Sequence, residues 1–134
     1  MRIDQDYLKR LLEAFLDFER PSINIEDLKS LGFDYEQDIF VFHLQILNDK
    51  GLVEQMDGDR GFGLTIGCDG FYSWSVLPLR LTAEGHEFAE ALSNKEVWNT
   101  IKSNFKDASI DGLMSVSKQL VEGYLKKKVE SFLP

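Results

Sequence analysis

The residues that could do chemistry in this 134-residue chain are few and widely spaced. His43, His86 and Cys68 are its only imidazole and thiol groups. A structural zinc site usually presents such ligands in closely spaced pairs, and no HxxxH or CxxC spacing occurs. We therefore expect no metal and no cofactor. A histidine beside an apolar helix face, as His43 is, is more often bonded to the backbone at the edge of a core.

Two glycine-containing segments resemble ligand-binding loops only in part. Gly61-Phe62-Gly63 begins like a dinucleotide fingerprint, but Ile66 occupies the position of the third glycine. Asp57 and Asp59 have the spacing of two calcium ligands, but the third ligand and the closing glutamate are missing. Turns explain both segments better. Because no serine or other nucleophile lies in an elbow motif either, we predict that the chain is not an enzyme.

Capping residues and apolar spacing predict the elements that would position a functional surface. A first helix follows Asp4 and ends near Arg20-Pro21, and a short second helix follows Asn24 and stops at Gly32. A third helix opens with Asp34 and Gln37 as a capping-box variant. We expect these three helices to form the core.

The third helix runs directly into a strand. Phe40, Leu44 and Leu47 share its inner face, Gly51 ends it, and a strand over residues 52–56 follows. A second strand over 76–81 contains Pro78, which suggests an edge position. Helix, glycine stop and strand in this order are typical of a winged helix-turn-helix, whose third helix normally enters the major groove of DNA.

The connection between these strands would be the wing. It is long and glycine-rich, and Leu64-Thr65-Ile66 is a candidate third strand within it. It also carries four large aromatic candidates for exposure, Phe62, Phe71, Tyr72 and Trp74. Folding back as a small satellite of the core is an equally open alternative for these side chains.

Three further helices are expected after the wing. Thr82 can cap a helix over 83–92, and Ser93 with Glu96 forms a capping box for the next. Residues 109–132 read as a long amphipathic helix with one apolar stripe. The predicted fold class is α+β, mainly α, with a winged helix-turn-helix domain at 1–92, a small β-wing, and a C-terminal helical extension at 93–134.

The charge distribution bears on the partner. The chain has 23 acidic and 15 basic residues, a formal net charge of -8, and residues 34–94 hold eleven acids against three bases. Such a surface repels phosphate backbones at long range. Seven lysines against five acids make residues 95–134 weakly basic. The single cysteine, and the lack of a leader or a long apolar run, make the cytoplasm the expected location, with no membrane contact.

The outer face of the third helix lacks the cations that a DNA reader uses. With about 100° per residue, Asp38, Phe42 and Asp49 point away from the core, and Ile39 and Ile46 lie to one side. Base edges and phosphates call for arginine, lysine, asparagine or glutamine. This face suits a protein partner better. Packing of Phe42 and Ile46 under the C-terminal helix is the alternative.

Several blocks resemble a family of small bacterial and phage winged-helix proteins known only as a domain of unknown function. They are His43-Leu44 with Leu47 and residues 51–53, then Leu81-Thr82-Ala83-Glu84-Gly85-His86-Glu87-Phe88, and Val97-Trp98. The resemblance covers most of the chain. It implies a winged-helix core, a C-terminal helical extension and an association with mobile elements, and it supplies no catalytic residues. The long wing departs from the family pattern.

Two functions from different classes follow. The favoured one is a non-enzymatic interaction or regulatory module that binds a protein, or a second copy of itself as a homodimer, through the third helix, the wing or the C-terminal helix. Its predicted surface comprises Asp38, Ile39, Phe42, Gln45, Ile46, Asp49, Phe62, Phe71, Tyr72 and Trp74. The alternative is a sequence-specific DNA-binding transcriptional regulator with contacts from Lys50, Arg60, Arg80, Lys126, Lys127 and Lys128.

Overall fold

Six helices and two small antiparallel sheets make up the α+β fold, mainly α, of the computed structural model, which describes residues 1–134. The helices are α1 (Gln5–Asp17), α2 (Ile25–Ser30), α3 (Asp38–Asp49), α4 (Ala83–Ser93), α5 (Lys95–Asn104) and α6 (Ile110–Phe132). The strands are β1 (Val53–Gln55), β2 (Leu64–Ile66), β3 (Tyr72–Trp74) and β4 (Leu79–Leu81). No helix combines the length and the apolar character that crossing a membrane requires.

Three helices begin at the predicted capping residue, namely α1 at Asp4, α2 at Asn24 and α4 at Thr82. The Asp4 carboxylate accepts a hydrogen bond from the Tyr7 amide at 3.0 Å, and Asn24 forms a reciprocal capping box with Asp27. Ser109 caps α6 in the same manner. α1 ends at Asp17, a few residues before the predicted stop at Arg20-Pro21.

Two predicted caps are wrong, because α3 has no side-chain cap and α5 is capped by the residue next to the predicted one. α3 begins after Gln37 with no side-chain cap, since the Asp34 carboxylate accepts from the Glu36 amide within the preceding turn. α5 is capped by Asn94, whose side-chain oxygen accepts from the amides of Glu96 and Val97. Sequence spacing alone could not decide between adjacent residues that both have capping chemistry.

The prediction that Pro78 marks an edge strand is also wrong. β4 pairs antiparallel with β1, Val53 lying opposite Leu81, and its Leu79 also forms an antiparallel bridge with Ile23. β4 therefore lies in the middle of this small sheet. Pro78 immediately precedes β4, where its missing N–H costs nothing, and its carbonyl accepts from the Met56 amide.

A separate hairpin lies between β1 and β4. β2, which was predicted, pairs antiparallel with β3, which was not, and Leu64 lies opposite Trp74. β3 is short and follows a glycine turn, so its sequence signal is weak.

The core is one continuous apolar cluster that extends beyond the first three helices. It includes residues of α1, α3 and α4 together with Val97, Ile101 and Leu113 from α5 and α6. Helices after residue 92 thus bury side chains in the same core as the helices before it. The division of the chain at residue 92 stays a prediction.

The block Leu81–Phe88 joins α4 to the end of α3. The Thr82 hydroxyl donates to the Gly51 carbonyl at 2.7 Å and accepts from the Gly85 amide at 3.0 Å. A Cβ atom at Gly85 would collide with the Leu52 carbonyl, so only glycine allows this close approach. This block, which is part of the family resemblance, therefore has a structural role.

Candidate interaction surfaces

The outer face of α3 combines acids with partly exposed apolar side chains. Asp38, Gln45 and Asp49 are exposed, whereas Phe42 and Ile46 are half-buried and lie outside the apolar core cluster. Ile39 differs from these residues, because it packs against the core and its carbonyl accepts a hydrogen bond from His43. The structure thus separates Ile39 from the other α3 residues of the predicted surface.

The β2–β3 hairpin is fastened to the beginning of this face. The Tyr72 hydroxyl donates to the Asp38 carboxylate at 2.6 Å. This hydrogen bond, with smaller effects of burial and of the carboxylate charge, raises the pKa of Tyr72 above its usual value. The bond holds the hairpin against the first turn of α3, so these two elements present one surface.

Two aromatic residues expected to be exposed on the wing are packed instead. Phe62 is only 7% exposed and belongs to the core cluster, and Trp74 packs against that cluster. The Trp74 ring centroid lies 5.8 Å from that of Phe62, 6.0 Å from that of Phe40 and 5.6 Å from that of Tyr35. The predicted exposure of Phe62 and Trp74 is therefore wrong, and the hairpin base is a satellite of the core.

Strand alternation is the signal that would have separated these aromatic residues. Tyr72 and Trp74 alternate along β3 with the exposed Ser73 and Ser75, which places the two rings on the inner side. Phe71 precedes the strand in the turn and remains 74% exposed. Of the four aromatic candidates, only Phe71 is thus fully available to a partner.

His43 supports the α3 face from the inside. Its Nε2 accepts from the Asp4 amide at 2.9 Å, and its Nδ1 donates to the Ile39 carbonyl at 2.7 Å. Burial lowers the pKa of His43, with the Ile39 hydrogen bond and the Asp4 charge acting in the opposite direction. The expected backbone-bonded histidine is confirmed, and the ring is fully buried rather than at the edge of the core.

The predicted DNA-contacting cations differ in their availability. Lys50 forms an ion pair with Asp111 at 2.7 Å, and Arg80 forms one with Glu54 at 2.7 Å. Arg60 and the three lysines at 126–128 are exposed and form no ion pair. Exposed acids at both ends of the α3 face, Asp38 and Asp49, oppose phosphate binding there.

A groove between α4 and α6 was not anticipated from the sequence. Its volume is about 900 Å³, and its apolar lining includes Phe88, Ala91, Met114 and Val121. Five acids and one base also line it, namely Glu84, Glu87, Glu90, Asp111, Glu122 and Lys118. The sequence signal was the mixture of acids and apolar residues along 84–91. The groove itself depends on how two distant helices pack.

The second half of α6 extends beyond the packed part of the molecule. Every residue from Glu122 onward is exposed, although the helix continues to Phe132. Leu125, Val129 and Phe132 are between 56% and 78% exposed. Their i, i+4, i+7 spacing places them on one stripe. We refer to residues 122–132 as the projecting half of α6.

No three histidine, cysteine, aspartate or glutamate side chains lie close enough together to hold a metal ion. Cys68 is exposed in the β2–β3 turn and is the chain's free thiol. The two histidines and this cysteine, which were weighed as ligands, are thus not brought together.

Comparison with known proteins gives a family for this chain. Residues 2–111 match the model of the family described as "Hypothetical protein (DUF2513)". An uncharacterized protein of Haemophilus influenzae (strain Rd) is 29% identical over 91 residues, which cover 68% of this chain and 67% of that protein. No solved structure matches significantly. Because the family model spans most of its length, the chain belongs to the DUF2513 family.

Proposed function

We propose that this protein is a non-enzymatic winged-helix module that binds another protein through the outer face of α3 and the adjoining hairpin. Its resemblance to bacterial and phage winged-helix proteins favours a regulatory role of mobile-element origin. The order α1, Ile23, α2, α3, β1, hairpin, β4 supports the winged-helix assignment, as do the bridges of β4 to both β1 and Ile23.

The composition of the α3 face carries the proposal. A protein that reads the major groove places cations and amides on this face. Here Gln45 is the only such side chain, and the rest of the face consists of exposed acids and the half-buried Phe42 and Ile46. Half-buried apolar side chains outside a core are the type of surface that a protein partner covers.

The same face indicates the chemistry of the partner. Asp38 and Asp49 lie about three helical turns apart, with Phe42 and Ile46 between them. Phe71 adds an exposed ring at the hairpin turn. A complementary surface would have an apolar centre flanked by lysine or arginine.

The test is affinity capture from a bacterial lysate, with and without nuclease, using the wild type and the double variant Phe42→Ser with Ile46→Ser. Leu31→Ser, which removes an exposed apolar residue at the end of α2, is the matched control. We expect a nuclease-resistant protein that the wild type and the control capture and the double variant loses. Circular dichroism must show that the double variant is folded. Unfolding of that variant would make these residues part of the core and would refute the interface.

Sequence-specific DNA binding is the second candidate, supported by the exposed, unpaired Arg60 and Lys126–Lys128. It predicts binding to duplex DNA that falls steeply as salt rises, because each phosphate contact releases a counterion. Fluorescence anisotropy with the wild type and Arg60→Ala would measure this. Nuclease-sensitive capture that is unchanged in the Phe42 and Ile46 variant would favour this candidate over the first.

A further inference from the structure

The projecting half of α6 and the α4–α6 groove are complementary in shape and charge. We propose that the protein forms a two-fold dimer in which the projecting half of α6 from each copy docks into the α4–α6 groove of the other. This contact uses neither the α3 face nor the hairpin, so it stands independently of the proposed function.

Apolar complementarity is the first argument. The projecting half exposes Leu125, Val129 and Phe132 on one stripe, and the groove offers Phe88, Ala91 and Met114. The eleven residues 122–132 span about 16 Å at about 1.5 Å per residue, and the groove follows α6 from Asp111 to Leu125, about 21 Å. The segment thus fits within the groove, and docking removes both apolar surfaces from water.

Charge complementarity selects the occupant. Glu84, Glu87 and Glu90 lie along the α4 side of the groove and Glu122 lies along α6, where Asp111 is already paired with Lys50 and Lys118 is the one base. Three consecutive lysines, 126–128, follow Leu125 on the projecting half, which carries the acids Glu122 and Glu130. Lys126 and Lys128 flank the apolar stripe on opposite sides, so their stems can cover it while their ammonium groups reach the acids. A second copy of this chain therefore has the chemistry that the groove requires.

A two-fold arrangement satisfies both grooves at once. If two α6 helices run antiparallel about an axis between Val121 and Glu122, then Leu125 lies beside Lys118 of the second copy, where it can contact the methylene stem of that side chain. Val129 then lies beside position 114 and Phe132 beside position 111. Met114 and Asp111 line the groove, so the same register brings the apolar stripe and the lysines to it. In this arrangement the projecting half of α6 in one copy packs beside the first half of α6 in the other.

Charge reversal on each side, followed by mixing, tests the dimer. One variant carries Lys126→Glu with Lys128→Glu, and the other carries Glu87→Lys with Glu90→Lys. All four positions are exposed, so both variants should keep the wild-type circular dichroism spectrum. Matched controls reverse the exposed Lys106 and Glu19, which lie outside both surfaces. Sedimentation equilibrium over a concentration series measures the mass.

We expect a dimer for the wild type and both controls, and a dissociation constant raised at least about tenfold for each charge variant. Mixing the two variants should restore the dimer, because the acidic α6 of one then meets the basic groove of the other. A monomeric wild type would overturn the proposal. Retention of the dimer in both separate variants, or failure of the mixture to associate, would also overturn it.

Discussion

The two halves of α6 have the same apolar spacing but different surroundings. Leu113 is 1% exposed and Met114, Leu120 and Val121 pack against the core, whereas Leu125 is 57% exposed. The helix is continuous through both halves and has one capping residue, Ser109, at its start. The difference therefore comes from what lies beside each half.

This contrast shows what an amphipathic pattern establishes. Periodicity specifies that a helix has an apolar stripe and where the stripe lies on its surface. It does not specify the chain that covers the stripe. α4 and α5 cover the first half of α6, and the proposed second copy covers the other half.

The largest expected effect compares two leucines of α6, one in each half. Leu113→Ala should lower the free energy of unfolding by about 2–5 kcal/mol, because it leaves a cavity in the packed core. Leu125→Ala should change it by no more than about 0.5 kcal/mol in dilute protein, since its side chain is already in water. Urea denaturation measures both. Equal losses would mean that the two halves are not different.

Gly85 and Gly123 allow a similar comparison between a closely packed helix backbone and an open one. Gly85→Ala places a methyl group against the Leu52 carbonyl and should cost about 1–3 kcal/mol of unfolding free energy. Gly123→Ala adds a methyl group where no atom lies within 4 Å. It should stabilise α6 and raise the free energy of unfolding by up to about 1 kcal/mol. Thermal unfolding monitored by circular dichroism gives both values. Tolerance of alanine at position 85 would contradict the close packing of α4 on β1.

The buried His43 should make the stability of the protein depend on pH. Burial lowers the pKa of His43, so its stabilisation is present above the ordinary value of 6.5 and is lost as pH falls below it. Protonation would also remove the acceptor for the Asp4 amide. We expect the unfolding free energy to fall as the pH falls below about 6.5, the ordinary pKa of histidine.

His43→Gln should reduce this pH dependence, at some cost in stability at neutral pH, whereas His86→Gln, which changes an exposed residue, should leave it unchanged. The measurement is chemical denaturation at several pH values. An identical slope in the wild type and His43→Gln would show that other groups cause the pH dependence.

Local sequence rules predicted all six helices and several of their caps. Asp4, Asn24 and Thr82 each cap the helix that follows them as predicted, because a capping bond joins residues only two or three positions apart. The same locality explains the error at α5, where the adjacent Ser93 and Asn94 both have capping chemistry, whereas at α3 the Asp34 carboxylate bonds within the preceding turn and no side chain caps the helix. β3 was missed because a three-residue strand has little periodicity of its own.

The candidate surfaces were less predictable than the helices. Helical geometry predicted the outward direction of Phe42, and the structure leaves Phe42 and Ile46 outside the core cluster. Exposure of the aromatic wing could not be predicted residue by residue, since Trp74 meets Phe40 and Tyr35 only after the hairpin folds onto α3 and the turn that precedes it. The groove required α4 and α6, which are distant in sequence, to lie side by side.

The sequence by itself determined the helical elements, three of their capping residues and the apolar stripes, because these depend on neighbours within one or two turns. Tertiary structure alone decided which stripe is covered. It buried Phe62 and Trp74, paired Lys50 with Asp111, placed Gly85 against Leu52, and left residues 122–132 in solvent. The physical reason is that burial is a property of contacts between distant segments, and a pattern of residue types describes only one side of each contact.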